Sequence, residues 1–351
     1  MISLTGLADV FSHDFDAVID VRSPSEYAED HVPGAINLPV LDDAERARVG
    51  TIYKQESPFR ARKIGAALVF RNAAHHVETA LSAHDGGWRP LVYCWRGGQR
   101  SGAFAWMLRE IGWRAETVEG GYKAFRRLIV QALYDAPLRH RLVQLGGYTG
   151  TAKTELLTLL ERRGVQVLDL EDLARHRGSI LGGLGRVQPS QKAFETALSS
   201  ALWRLDPARP VIVEAESSKI GALNLPPSLW QAMCAAPSIE VTAPLEARAR
   251  YLAGAYADVL ADGAALKAKL APLRRFRGHA VVDGWFGLID SGDRVALCRA
   301  LAADHYDPAY EKSARDSRRR VAATVATDAL TPVALDDTAA RIEAALQTIS
   351  T

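Results

Sequence analysis

Short apolar runs alternate with longer amphipathic stretches along the chain, and this rhythm predicts the fold. Ala17-Val18-Ile19-Asp20-Val21 is a nearly continuous apolar run ending at Asp20 and Arg22, the pattern of a strand buried on both faces. Ser23-Pro24-Ser25-Glu26 opens a helix: Pro24 suits the first turn and Ser23 can cap it. His31 to Leu38 turns into a second short strand. Residues 66–84 read as helix, Pro90 to Tyr93 as strand and Ser101 to Ile111 as helix. Ala115 to Val118 is a further strand, running into Glu119-Gly120-Gly121. The same rhythm returns later. Leu142 to Leu145, Val165 to Leu168, Pro210 to Val213 and Ser238 to Val241 read as strands, and a helical region covers about residues 244–303. Strands alternating with helices predict the α/β class, with parallel sheets covered by helices. The boundaries predicted are a first domain over 1–130, a helical linker over 131–141 and a second domain over 142–351 with a helical C-terminal part.

Composition narrows this picture only slightly. A chain of 351 residues is long for one domain, and its 48% apolar and 24% charged residues are ordinary for globular proteins. The three cysteines, Cys94, Cys234 and Cys298, have neither metal-ligand spacing nor a pairing framework, which suits a reducing cytoplasm. No apolar run approaches bilayer length, and the first residues lack the basic start and cleavage site of a secretory leader. A net charge of +2 announces no polyanionic partner. Local basic clusters do exist at Arg60 to Lys63, Arg126-Arg127, Arg274 to Arg277 and Arg315 to Arg320, where a solvated face is the simpler account.

The first chemistry-bearing segment is Tyr93-Cys94-Trp95-Arg96-Gly97-Gly98-Gln99-Arg100-Ser101. A thiol at a strand tip, followed by a glycine-bearing loop and a helix, can be ringed by backbone N–H groups. The helix dipole and the cations Arg96 and Arg100 favour thiolate over thiol. A buried structural cysteine explains neither the Gly97-Gly98 pair nor the arginines. Cys94 and Arg100 are therefore the catalytic candidates. Trp95, Arg96, Gly97, Gly98, Gln99 and Ser101 form the anion-binding loop.

The second segment is Gly146-Gly147-Tyr148-Thr149-Gly150-Thr151-Ala152-Lys153-Thr154, between a strand and the helix starting at Glu155. This is the context of a phosphate-binding loop. Gly147 permits the turn, and Tyr148 and Thr149 carry it round. The amides of Gly150, Thr151, Ala152, Lys153 and Thr154 can surround a diphosphate. Lys153 adds a charge and Thr154 can hold Mg²⁺. Ala152 stands where the pattern has Gly and restricts φ there. Asp169, Glu214 and Glu216 lie at neighbouring strand ends, where Mg²⁺ or substrate would be held, although each singly could be a helix cap. The glycine-rich interval 176–195 supplies Arg177, Ser179 and Gln191 as candidate contacts to a second substrate. His305 could act as a base, but a structural role suits a lone histidine better.

DVRSPSEYAEDHVPGAINLP, YCWRGGQRSGAFAWMLREIGW and VEGGYKAF resemble the rhodanese (sulfurtransferase) fold over residues 5–125. In that family the loop cysteine carries a persulfide. Five residues separate Cys94 from Arg100, a longer loop than most sulfurtransferases have and one similar to rhodanese-like phosphatases, so the cradle suits a larger anion such as selenophosphate. Residues 43–63 form an unusual basic and partly helical insertion. Its Tyr53, Lys54, Gln55 and Phe59 mix cations with aromatics, as base-stacking surfaces do, or they simply decorate the surface. With GGYTGTAKTELL, DLEDLARHRGS, QPSQKAFE, VEAESSKIG and HYDPAY in this order, the chain resembles the tRNA 2-selenouridine synthase family, a rhodanese-like domain fused to a P-loop, nucleotide-kinase-like domain.

That resemblance implies an enzyme acting on the wobble 2-thiouridine of tRNA. Geranyl diphosphate and selenophosphate are its co-substrates, no cofactor is tightly bound, and Mg²⁺ is a further candidate. The sulfur is first geranylated, and selenium then replaces the S-geranyl group, with Cys94 carrying or relaying the selenium. The geranyl slot is expected in 176–195 or in the helices after 244. A tRNA sulfurtransferase with a regulatory nucleotide-binding domain, a phosphatase and a non-catalytic tRNA-binding scaffold remain open alternatives.

Overall fold

The computed structural model describes residues 1–177, 187–316 and 320–350. The candidate Ser179 lies outside the described residues. The chain divides into two compact units, the first made of Met1–Ala136 with Pro189–Arg204, the second of Pro137–Gln188 and Leu205 onward.

The first unit is built on four parallel strands: β1 (Ala17–Asp20), β2 (Ile36–Asn37), β3 (Pro90–Tyr93) and β4 (Glu116–Thr117). Their order is β2-β1-β3-β4, so β3, which delivers Cys94, is interior. All four residues of β3 are buried, as its unbroken apolar run requires. The stretch around Asp20 is a scaffold. Arg22 and Asp20 form a fully buried ion pair, with Nε to Oδ1 at 3.0 Å and Nη2 to Oδ2 at 2.6 Å. The Arg22 guanidinium stacks 4.0 Å from the Tyr122 ring centroid. Ser23 and Glu26 close a reciprocal capping box on the helix Pro24–Glu29.

The insertion, residues 43–63, forms the helix Asp43–Gln55 and the start of a second, Pro58–Glu78, which continues beyond it. Asp42 and Glu45 form a capping box on the first, and Ser57 caps the second with Pro58 in its first turn. The helices pack closely because Gly65 has no side chain: a Cβ there would sit 3.3 Å from Val49 Cγ1. Asn72 Nδ2 donates to Glu45 at 2.8 Å and to the Val40 carbonyl at 3.1 Å, tying the pair to the sheet layer.

The helix Gln191–Arg204 also groups with the first unit. Glu195 on it pairs with Arg126, and Thr196 Oγ1 donates to the buried Asp30 at 3.1 Å. Tyr122 donates to the same Asp30 at 2.8 Å.

The second unit has strands β5 (Arg141–Gly147), β6 (Gln166–Leu168), β7 (Pro210–Glu214), the hairpin β8 (Lys219–Ile220) and β9 (Leu223–Asn224), then β10 (Pro237–Thr242) and β11 (Arg320–Ala326). The main sheet is parallel with order β11-β10-β5-β7-β6, so the phosphate loop leaves the central strand. The chain between Asp135 and Arg141, within the expected linker, is not helical. The helical region after 244 is broken into several helices, and Val259–Ala261 and Ala271–Leu273 are tight single turns. They close a second apolar core around Trp285, Leu266 and Leu301. Among the described residues no helix is long and apolar enough to cross a membrane.

Candidate functional site

The first site forms where β3 ends. Cys94 is 3% exposed and lines a cavity of about 690 Å³. Trp95, Arg96, Gly98, Gln99 and Arg100 line the same cavity. Ser101 lies beneath it, fully buried, and its hydroxyl donates to Cys94 Sγ at 3.2 Å. Gly97 does not face the cavity. At φ +64° it packs on the next loop, where a Cβ would come 2.3 Å from the Val118 carbonyl. Gly121, at φ +56°, is equally tight: a Cβ would lie 2.2 Å from the Cys94 carbonyl. Gly97 and Gly121 therefore let the two loops share one space. Tyr122 N–H donates to the Cys94 carbonyl at 2.9 Å and fixes that contact.

Burial by itself would raise the Cys94 thiol. The Ser101 hydroxyl and amide, the Arg100 charge and the Arg96 amide outweigh it, and the thiol ends below its ordinary value. Arg100 Nη1 is held by Glu26 at 3.1 Å, so the cation is fixed at the loop rather than swinging through the cavity. Burial would raise Glu26 as well, but Arg100 and Arg46 hold it low. Ser101→Ala should move the thiol titration upward, because it removes a hydrogen bond that the thiolate accepts. The rate of iodoacetamide alkylation against pH checks this. An unchanged midpoint would contradict the assigned role of Ser101.

The second site is a cavity of about 860 Å³ over the end of β5. Gly147, Thr149, Gly150, Thr151, Ala152, Lys153 and Thr154 line it; Tyr148 does not. Tyr148 instead packs at a tilt against Tyr310 and donates to Glu311 at 3.0 Å. Lys153 Nζ donates to the Gly147 carbonyl at 2.9 Å. Burial lowers its titration, opposed by the charges of Glu171, Glu216, Glu240 and Glu214. Ala152 caps the helix Lys153–Arg162 in the left-handed region, at φ +59°. That conformation costs a non-glycine residue about 1–2 kcal/mol. The residue is 4% exposed and belongs to the apolar cluster beneath the loop, so burial of its methyl, about 0.8 kcal/mol, offsets part of that cost. The alanine thus keeps the backbone path a glycine would take.

The HYDPAY stretch braces this loop. Asp307 takes a two-pronged pair from Arg248 at 2.9 and 2.8 Å, and Arg248 donates to the Thr149 carbonyl at 3.1 Å. Tyr310 Oη accepts from the Gly147 amide at 2.8 Å and donates to Glu240 at 2.6 Å. His305 accepts from Arg277 Nε at 3.1 Å and does not line the cavity. Burial and Arg277 keep its titration low. The structural role expected of a lone histidine is the one found.

Asp169, Glu214, Glu216 and Arg177 all line the phosphate cavity. Asp169 is also the N-cap of the helix Leu170–Ala174, accepting from Asp172 N–H at 2.8 Å. Glu214 is 2% exposed and accepts from Glu171 N–H at 2.6 Å. Burial first, and the neighbouring Asp169 second, push Glu214 well above the carboxylate range. Gln191 is elsewhere: in the first unit it donates to Glu195 at 2.9 Å. That hydrogen bond joins Gln191 to the Glu195–Arg126 pair that seats its helix, and Gln191 is not among the residues lining the second cavity.

Glu171, which follows close behind Asp169 in the sequence, joins the site candidates. It lines the cavity and accepts from Thr154 Oγ1 at 3.3 Å. Burial and the charge of Glu216 push it up to about 8. A carboxyl that titrates near 4.5 when unfolded and about 8 when folded holds its proton in the folded chain across that window. Stability therefore falls as pH rises from about 5 to about 8. Glu171→Gln removes this contribution, so its melting temperature should decline less over that range than the parent's. An equal decline would contradict the assignment. The signal available was a second acid three residues past the end of β6, which caps and solvated acids imitate.

A family model described as the tRNA 2-selenouridine synthase AAA domain matches residues 140–279, and a rhodanese-like domain model matches residues 6–128. The tRNA 2-selenouridine synthase of Cupriavidus pinatubonensis is 34% identical over 337 residues, 86% of this chain and 90% of the relative. The chain belongs to the tRNA 2-selenouridine synthase family. The relative from Nitrosomonas europaea is 38% identical over 238 residues, 66% of this chain, and that from Chromohalobacter salexigens is 39% identical over 244 residues, 69% of this chain. In those two the matched stretch spans 61% and 66% of the relative's length. The solved N-terminal domain of a Clostridium difficile 630 protein aligns over 37% of this chain and 98% of its own length, at 32% identity and a TM-score of 0.33. Family membership therefore rests on the sequence matches.

Proposed function

We propose that the chain converts tRNA 2-thiouridine to 2-selenouridine in two steps, with one cavity serving each. The observation that carries the reading is the pairing of a lowered, buried thiol that lines one cavity with a braced phosphate loop in another, in a member of this family. In the first step the 2-thio sulfur attacks carbon 1 of geranyl diphosphate. The C–O bond breaks, diphosphate leaves and the base loses its N3 proton. The loop amides and Lys153 meet the charge that develops on the diphosphate. Leu157, Tyr251, Leu252 and Ala255 line the same cavity and offer an apolar wall to the chain.

Among the described residues no three His, Cys, Asp or Glu side chains are grouped to hold a metal ion. Mg²⁺ accompanying a diphosphate needs only one or two protein carboxylates, since phosphate oxygens supply the rest. Thr154 and Glu171, already hydrogen-bonded, would hold it once the ion displaces the Glu171 proton. When bound, the ion would neutralise charge on the leaving diphosphate.

In the second step selenium from selenophosphate replaces geranylthiolate at carbon 2. Electron counting limits what Cys94 does. Selenophosphate selenium is already at the selenide level, so storing it in an S–Se bond needs an oxidant. A Cys94 thiolate that displaces geranylthiolate from carbon 2, and is then displaced by selenium, needs none. Water finally cleaves the Se–P bond and releases phosphate. The basic helices beside the cavity would meet tRNA phosphates, so tRNA affinity should fall with salt. The reading is tested by digesting tRNA from cells with and without this chain. It requires 2-selenouridine only in the first, and equal amounts in both would refute it.

A further inference from the structure

The cavity at Cys94 is far more apolar than a selenium donor requires. A small anion uses the loop amides and arginines on one side. The opposite wall comes from the insertion helices Asp43–Gln55 and Pro58–Glu78 and is aliphatic: Val49, Ala61, Ala66 and Val69, with Gly50 and Gly65 opening space between them. Ala61 is fully buried and Val69 is 5% exposed, so this wall is preformed. At about 690 Å³ the cavity falls within the roughly 300–1,000 Å³ of small-molecule sites, which are mostly apolar with a few placed polar groups. A flat base would favour aromatic faces. Here Tyr53 and Phe70, 54% and 39% exposed, are the aromatic lining residues besides Trp95 of the thiol loop. Arg46, Lys54 and Arg62 also line the cavity and suit the phosphates of an attached nucleotide.

We infer that this groove is a second alkyl site, distinct from the diphosphate cavity, that holds the branched apolar chain of the S-alkylated base while its carbon 2 faces Cys94. The assignment rests on the two-step reading above and deepens it. The groove makes the exchange selective for alkylated over free 2-thiouridine, since an unalkylated base leaves the aliphatic wall facing water. It also gives the insertion a function: with the rest of the second helix it forms the wall that receives the leaving group.

The test compares full-length chains on short anticodon stem–loops carrying S-geranyl- or S-methyl-2-thiouridine. Binding is read by fluorescence anisotropy and exchange by nucleoside mass spectrometry with selenophosphate. The parent should prefer the S-geranyl RNA. Ala66→Trp adds bulk at an exposed lining position and should cut that preference at least about tenfold, on the scale of single-group discrimination in apolar pockets. Gly50→Leu fills the groove from the facing helix, where the side chain near its Cβ is the flexible end of Arg46 at 3.1 Å, and should act alike. Loss of both RNAs in equal proportion in both variants would overturn the groove as an alkyl site, as would a parent that binds the two RNAs alike. A parent that prefers S-geranyl RNA in binding but forms no 2-selenouridine would instead overturn the reaction and leave the groove standing.

Discussion

Cys94→Ala should stop selenium incorporation while S-geranylated tRNA accumulates. The loss should reach at least about 10³-fold, the scale seen when a nucleophile is removed from an intact site. The substitution leaves the phosphate cavity untouched, because Cys94 lines only the first. Cys94→Ser keeps the shape but not the acidity, since a hydroxyl does not ionise under the same Ser101 and Arg100 influences, and should fail as completely. Both variants should melt near the parent, since each change is small. Nucleoside mass spectrometry checks the outcome. Unalkylated 2-thiouridine as the only product would show that Cys94 also serves the first step and would contradict the division between sites.

Lys153→Ala should produce the opposite block: 2-thiouridine remains and no S-geranyl nucleoside appears. Losing one preorganised donor to a developing oxyanion costs about 10²–10³-fold. Lys153 now bonds the Gly147 carbonyl and lies amid four carboxyls, so its ammonium is positioned before any diphosphate arrives. The same variant should still convert synthetic S-geranyl RNA to 2-selenouridine. Failure on both substrates, in a chain that still melts cooperatively, would show that the two cavities do not act separately.

Much of this arrangement is legible in the sequence, because its signals are local. The apolar run of β3 and the short, mostly apolar run of β5, broken by Gln144, announce buried parallel strands, and a strand followed by a glycine-bearing loop and a helix announces each anion site. What escapes is whatever depends on packing. The fifth strand, Arg320–Ala326, lies at a sheet edge with Val325 as its one buried residue, so its apolar pattern is too weak to read. Gln191 belongs to a helix seated through Glu195 and Arg126, a contact between distant segments that no local pattern announces. The aliphatic wall at Cys94 is scattered over two helices as Val49, Ala66 and Val69, and only their close approach at Gly65 makes it one surface. Asp169 reads as a residue for Mg²⁺ or substrate or as a helix cap; it caps Leu170–Ala174 while lining the second cavity.

The insertion shows how both levels combine. Its charge and aromatics suggest an arm for RNA, and Tyr53 and Lys54 do stand in the cavity lining. Its buried side, invisible to a scan for basic residues, turns that arm into a wall for an apolar group.

The most direct test of successive action is a time course. Purified chain is mixed with 2-thiouridine-containing tRNA, geranyl diphosphate, selenophosphate and Mg²⁺, then quenched and digested for nucleoside mass spectrometry. The account predicts that S-geranyl-2-thiouridine rises first and falls as 2-selenouridine appears, and that omitting geranyl diphosphate leaves 2-thiouridine unchanged. Formation of 2-selenouridine at full rate without geranyl diphosphate would contradict it.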